Sequence, residues 1–512
     1  MPARRGVYCA AMLLRPGADD FRVVGLSVGR VLLGVAVAML APAVLGFALG
    51  EVNEAWGFVV GASLTALFGQ GLVLLCATRA PLSATHGLVT VAAAWLLAAW
   101  FGAVPLLLSG HYGGFLDAYF EAMSGFATIG QTLAQDIDHM ARSVNLWRHL
   151  MQFMGGQGII IIALTIFSSA GGAIGSLYLG EGREEKILPN VVSTARFIWK
   201  VALTYAAVGI AVLWTALLQA GLGPGLGLYH AVALFMAAFD TGGFAVQSTS
   251  VAFYRSVGVE LALWPVMLAG GFSFALHYQL WQGRGRELVL NLESRVLAVT
   301  AALVLVIMVS GLITAGTFGD VPSLVRHTLF HVISAHTTTG LATVPGAIYV
   351  SAWGVLAPAS LVLAMALGGM AGSTAGGIKA LRVGLIVKGI RKDLRQALLP
   401  DGAAVVETYH LGSQRVLSGR QVTAAGTVLL LWVLLYAAGA LLALLYGYDL
   451  ETALFDSVAA ASSGGLSVGL ARPDMEVALK VVFIAQMLLG RLEFIAVFAL
   501  LGYLVAIVRG RT

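Results

Sequence analysis

Four glycines, Gly130, Gly243, Gly340 and Gly465, stand in nearly the same setting. The local strings are Thr128-Ile129-Gly130, Thr241-Gly242-Gly243, Thr338-Thr339-Gly340 and Ser463-Gly464-Gly465. Each ends an apolar stretch too short to cross a bilayer, and each such stretch lies between two that are long enough. The glycines are 113, 97 and 125 residues apart. A glycine can adopt the dihedrals that turn carbonyls inward, which a Cβ would oppose. Backbone carbonyls in a ring replace the hydration shell of a cation, and hydroxyls such as those of Thr128, Thr241, Thr338 and Ser463 add oxygen ligands or tie the turn to its neighbours. Half-helices that converge with their C-terminal, partly negative ends also favour a cation. One such turn reads as well as a packing notch. Four in phase read as one cation site.

A second group lies at 368–377. Gly368, Gly369, Gly372, Gly376 and Gly377, with Ser373 and Thr374 among them, place five glycines in ten residues. Each costs a helix about 1 kcal/mol relative to alanine, so the run predicts a break partway across the membrane, just below the glycine turns. Close helix packing through small residues is the competing reading. Arg491 sits in the last apolar stretch, where a lone arginine costs about 2.5–3.5 kcal/mol on insertion scales and is usually functional. It is read as facing a water-filled path, with a structural ion pair as the alternative. Glu493, two residues on, is not on the same helical face. Lys379 is either a contact of the broken segment or an anchor at the membrane edge. Asp240 and His336 precede turn glycines. Asp240 is read as capping or hydrogen bonding within its loop rather than adding negative potential, and His336 as packed and hydrogen bonded. Glu121 is read as holding its half-helix rather than drawing cations.

These residues need an apolar scaffold. Of 512 residues 59% are hydrophobic and 11% charged, and the mean hydropathy is +0.89. A soluble chain carries about twice that charge, so this is a polytopic membrane protein. The N-terminus is read as an uncleaved first span. Charge-free stretches predict ten spans, at 24–50, 56–78, 84–108, 147–170, 200–221, 258–282, 296–316, 350–378, 421–446 and 476–508. Half-helices fall at 117–128, 228–240, 323–337 and 451–463. The expected fold is all-α: an N-terminal two-helix hairpin, then four span–pore loop–span repeats around a pseudo-fourfold axis. The units are 1–80 for the tail and hairpin, then 81–183, 184–286, 287–398 and 399–512 for the four repeats. Basic residues crowd one set of connections, including Lys388, Arg391, Lys392 and Arg395, which assigns that side and both termini to the cytoplasm. Clustered at span ends, they are a poor nucleic-acid surface. Connections this short hold no nucleotide-binding domain, and the two cysteines, Cys9 and Cys76, have no metal spacing. Ser124 and the pair Ser273 and His277 offer only weak support for a hydrolase, so no enzyme is expected. A rocking secondary transporter would need paired broken spans in inverted halves.

Several strings resemble one family. They are Phe120-Glu121-Ala122-Met123-Ser124-Gly125-Phe126, Leu146-Trp147-Arg148-His149 running into Gly155-Gly156-Gln157-Gly158, Thr241-Gly242-Gly243-Phe244, Leu268 to Phe274, Thr337 to Leu341, Gly372 to Lys379, and Gly490-Arg491-Leu492-Glu493. Together they resemble the Trk/Ktr/HKT superfamily of potassium transporters over nearly the whole chain. The leading hairpin favours the bacterial Trk-type membrane subunit. The resemblance implies a selectivity filter at Thr128, Ile129, Gly130, Thr241, Gly242, Gly243, Thr338, Thr339, Gly340, Ser463, Gly464 and Gly465, with potassium as the ion held there. It implies a gate at 368–377 with Lys379 and Arg491, no organic cofactor, a cytoplasmic nucleotide-binding regulatory subunit, a homodimer, and the bacterial cytoplasmic membrane. Ala127 and Ile129 stand where the family usually has threonine. A less selective potassium/sodium translocator or an ion-coupled transporter is the alternative.

Overall fold

The computed structural model describes residues 17–158, 191–400 and 405–508. Six expected spans are long apolar helices: Ala18–Leu49, Val52–Leu75, Ala84–Leu108, Val191–Gln219, Leu292–Ala315 and Gly419–Leu445. The first two pack side by side, with Gly29 and Gly69 facing each other so closely that a Cβ on either would press the other's carbonyl. A seventh helix, Arg142–Gln157, begins the expected span 147–170, whose later part lies outside the described residues.

Three expected spans are not continuous. The span at 258–282 is the pair Val257–Gly271 and Phe274–Trp281, bent by 104°. Ser273 sits at the bend, where its Oγ accepts the amide of Leu276 at 3.2 Å and starts the second helix. The span at 476–508 is the pair Val477–Arg491 and Ile495–Val508, bent by 114°. Glu493 and Phe494 lie between them at φ 50° and 72°, a conformation that ends a helix. The span at 350–378 was expected to break, and it does. Leu356–Leu367 stops at Gly368, residues 368–379 run without helix, and Ala380–Ala397 resumes.

The four half-helices are Phe115–Phe126, Pro224–Phe239, Val321–His336 and Leu450–Ser462. Their starts follow ordinary capping rules. Asp320 and Asp449 accept the amides of Ser323 and Thr452, at 2.8 and 2.9 Å, and Pro224 fills a first-turn position. Phe120, Phe330 and Phe455, ten residues before their glycines, are fully buried, as is Phe235.

The chain is not wholly helical. Thr408–His410 and Gln414–Val416 pair as a small antiparallel hairpin that the sequence reading missed. It clamps Ala380–Ala397: Glu407 accepts from Lys388 at 2.9 Å and from Arg395 at 3.2 Å. The Lys388 hydrogen bond, ahead of the nearby basic charges, holds the Glu407 carboxyl below its ordinary pKa. A depressed carboxylate stabilises the fold near neutral pH and loses that contribution only as pH falls through the lowered value.

Candidate cation site and its underlying segment

Each half-helix ends in the same turn. Thr128, Thr241, Thr338 and Ser463 are left-handed, at φ 53°, 49°, 55° and 56°. The next amide reaches back to the helix: Ile129 to Ser124, Gly242 to Ala237, Thr339 to Ser334 and Gly464 to Ala459, at 2.8, 2.8, 2.7 and 2.9 Å. This six-to-one bond is the Schellman closure, usually built on glycine or asparagine. Here a hydroxyl residue occupies the left-handed position all four times. For an L-residue that conformation costs about 1–2 kcal/mol. The sequence pattern named both the glycines and the hydroxyl residue two before each; the geometry adds that this residue is the left-handed one.

The glycines follow, also at positive φ, and they close a ring. A Cβ built on Gly130 would lie 2.5 Å from the Gly242 carbonyl oxygen, and one on Gly243 would lie 2.3 Å from that of Thr339. One on Gly340 would lie 2.5 Å from the Gly465 Cα and 3.0 Å from the Gly464 carbonyl oxygen; one on Gly465 would lie 2.5 Å from the Ile129 carbonyl oxygen. The order is therefore first loop to second, third, fourth and back to first, and each glycine abuts the carbonyl just before the next glycine. All four glycines line one depression, with Thr132, Arg148 and Phe244 in its wall. Ile129, the departure in the first turn, buries its side chain in an apolar cluster while its carbonyl keeps its place in the ring.

Polar side chains fix the loops from behind. Gln152 donates to the Gly242 carbonyl, and its Oε1 accepts the Phe244 amide at 3.3 Å. In the sequence it is one of several polar residues of helix Arg142–Gln157, and nothing there singles it out. Glu121 accepts from Arg148 Nε at 2.7 Å, from Thr132 Oγ1 at 3.0 Å and from the Leu133 amide at 3.0 Å. The guanidinium of Arg148 stacks 4.2 Å over Phe244 and donates to the Ala245 carbonyl, so it joins the first loop to the second. Asp456, at the matching place in the fourth half-helix, accepts the amides of Val468 and Leu470 at 3.2 and 2.7 Å. Glu121 therefore holds its loop, as expected. Asp240 is fully buried and accepts from Gln157 Nε2 at 2.7 Å, so its bond reaches helix Arg142–Gln157 outside its own loop, where only a bond within the loop was expected; His336 Nε2 meets Thr300 Oγ1 at 2.7 Å, the packed, hydrogen-bonded role expected for it. Both partners of the Glu121–Arg148 pair are buried, at 0% and 1% side-chain exposure. Arg148→Met will therefore strand a carboxylate and destabilise the protein by about 3–5 kcal/mol in thermal unfolding, and adding Glu121→Gln will recover part of that loss.

The glycine-rich segment lies directly against the far side of the ring. Thr374 Oγ1 meets the carbonyls of Phe239 at 2.9 Å and Gly270 at 2.8 Å, and Thr241 Oγ1 lies 3.3 Å from it. The Gly376 amide donates to Thr338 Oγ1 at 2.8 Å. A Cβ on Gly376 would sit 2.1 Å from the Ser462 carbonyl, and one on Gly368 the same distance from the Gly376 carbonyl. Cβ atoms on Gly369 and Gly377 would lie 2.6 and 2.8 Å from their nearest neighbours, whereas Gly372, at φ 71°, faces open space. Ser373 Oγ closes a local turn onto Met370. Glu293, unremarked in the sequence, accepts the Ala371 amide at 2.7 Å.

Arg491 reaches this segment from the bend in the last helix pair. It donates to Thr128 Oγ1 at 2.9 Å, the Thr374 carbonyl at 2.8 Å and the Gly155 carbonyl at 2.6 Å. Glu493 instead meets Arg382. Lys379 is buried and donates to the Ala375 carbonyl, so it is a contact of the segment and not an edge anchor. Trp95, Ser373, Lys379 and Arg491 line a second cavity beneath the segment. The serines that raised a hydrolase are engaged elsewhere. Ser124 donates to the Gln131 carbonyl, Ser273 caps its helix, and His277 meets Ala269 and Tyr205.

A helical membrane protein with four re-entrant turns meeting at one point, two apolar spans ahead of them and a broken helix behind is a distinct class. The profile of the TrkH family, described as a cation transport protein, matches residues 57–502, and the chain belongs to that family. It is 29% identical over 478 residues to an uncharacterised cation transporter of Methanocaldococcus jannaschii, covering 93% of this chain and 94% of the relative. It is 27% identical to the Trk system potassium uptake protein TrkH of Halomonas elongata, covering 94% and 98%. The crystal structure of the potassium transporter TrkH from Vibrio parahaemolyticus superposes with a TM-score of 0.79 at 24% identity, over 94% of this chain and 98% of that one, and the fold is shared.

Proposed function

We propose that the chain conducts potassium into the cell across the bacterial cytoplasmic membrane. The twelve residues Thr128 to Gly130, Thr241 to Gly243, Thr338 to Gly340 and Ser463 to Gly465 are its selectivity filter. The observation that carries this reading is the closed ring of glycines, each abutting the carbonyl before the next. Four carbonyls gathered in one ring favour a weakly hydrated monovalent cation. The potassium uptake named for the relatives supports the choice of ion. The buried Ile129 side chain favours potassium selectivity over the looser potassium/sodium reading, because the ring keeps its fourth carbonyl. Segment 368–377, with Lys379 and Arg491, is the gate. The experiment is growth rescue at limiting potassium in a strain without its own uptake systems. The wild-type chain with its regulator restores growth, and failure at full membrane expression overturns the proposal.

The basic connections then face the cytoplasm, and a separately encoded nucleotide-binding subunit docks there on a homodimer. Helix Ala380–Ala397 presents Arg391 and Lys392, and follows the gate directly. Arg395 is committed in part to Glu407, so it contributes less to docking than its neighbours. Neutralising Arg391 and Lys392 will weaken pull-down of the regulator; undiminished binding removes both from the interface.

A further inference from the structure

The left-handed position of each turn could be filled at least strain by glycine, yet Thr128, Thr241, Thr338 and Ser463 all bear a hydroxyl. Three of these hydroxyls bind the gate side of the site. Thr128 Oγ1 accepts from Arg491, Thr241 Oγ1 lies against Thr374 Oγ1, and Thr338 Oγ1 accepts the Gly376 amide. Arg491 also holds the Thr374 carbonyl, so the first loop reaches the segment through one guanidinium. The fourth loop touches the segment by packing against Gly376, while Ser463 Oγ donates to the Ala127 carbonyl at 3.2 Å and joins the fourth loop to the first.

We infer that these hydroxyls are positioning groups that latch the segment 368–377 shut against the filter loops. The inference rests on the filter and gate reading above and adds the coupling between the two. The segment cannot leave the far side of the ring without breaking the bonds to Thr241 and Thr338 and the shared hold of Arg491 on Thr128 and Thr374. Each bond is local, directional and made by a side chain that an isostere can replace. Opening is thereby tied to the filter: the loops are braced while the gate is closed and lose those braces together when it opens. A hydroxyl that served only as an ion ligand would have no reason to be engaged by an amide or a guanidinium of the gate.

The test replaces threonine by valine, which keeps the β-branched shape and removes the hydroxyl. Full-length Thr128→Val, Thr241→Val and Thr338→Val are reconstituted in liposomes without the regulator, and rubidium tracer flux and the potassium-to-sodium permeability ratio are measured. Each is expected to raise basal flux about two- to tenfold, the factor for one net hydrogen bond. The matching serine variants keep the hydroxyl and are expected to raise basal flux less than their valine counterparts. Thr241→Val added to Thr374→Val is expected to raise flux no further than Thr374→Val alone, because the two remove one shared bond. That comparison holds even if one valine variant fails to fold. Unchanged flux, additive effects, or a fall in flux with a collapsed ratio overturns the latch. A chain with residues 368–377 shortened is the control. If shortening raises flux and the valines do not, the latch alone fails. If neither raises it, the gate reading fails as well.

Discussion

Gly340→Ser will lower the potassium-to-sodium permeability ratio by about tenfold in reversal-potential measurements. Gly340 is at φ 83°, and its added Cβ would lie 2.5 Å from the Gly465 Cα. The left-handed dihedral alone costs an L-residue about 1–2 kcal/mol, and about 1.4 kcal/mol is a factor of ten in an equilibrium. The clash adds to that, and it is with backbone, which cannot swing aside. The third and fourth loops must part, so the carbonyls of Thr339 and Gly464 lose their spacing. A wider ring holds partly hydrated sodium about as well as potassium. Because each glycine touches the next loop, Gly243→Ser will act in the same direction. An unchanged ratio in Gly340→Ser would remove this turn from the filter.

Shortening 368–377, or Arg491→Ala, will raise regulator-independent flux, with less effect on selectivity. A fixed charge about 4 Å from the path of a monovalent cation costs it roughly 4 kcal/mol even at an effective dielectric of about 20. Removing Arg491 abolishes that barrier and also frees Thr128 and the Thr374 carbonyl. Deleting glycines removes the chain that fills the space beneath the ring. The bonds from Gln152 to the second loop and from Glu121 to the first are not made by the residues altered in either variant. Low flux from both variants, with insertion and partner binding intact, would place the barrier elsewhere.

Much of the scaffold was legible because membrane spans are written as long charge-free runs, and half-helices as short ones between them. The break at 368–379 was legible because five glycines cannot hold a helix. The bends at Ser273 and at Glu493–Phe494 were not, since both lie inside apolar stretches whose hydropathy is indifferent to direction. The small hairpin at 408–416 was missed because two three-residue strands are too short for any alternation to register. In the site, composition pointed to glycines and hydroxyls but not to their order around the ring. Asp456 and Glu121 occupy matching places in different repeats, yet only three-dimensional register makes them equivalent. The bonds of Arg491 to a hydroxyl and two carbonyls join residues 363, 117 and 336 positions apart, a relation that no local pattern encodes.

The ring of glycines is closed within a single chain. In a ring made by four identical subunits, every codon is read four times, and any change strikes all quadrants at once. Here one codon alters one quadrant. Arg491 can exist once, on one side, and the segment it holds can be hung from the third repeat alone. If that segment is the gate proposed above, opening needs one displacement and not a concerted rearrangement of equivalent parts. On the proposed filter, selectivity can likewise be altered one quadrant at a time.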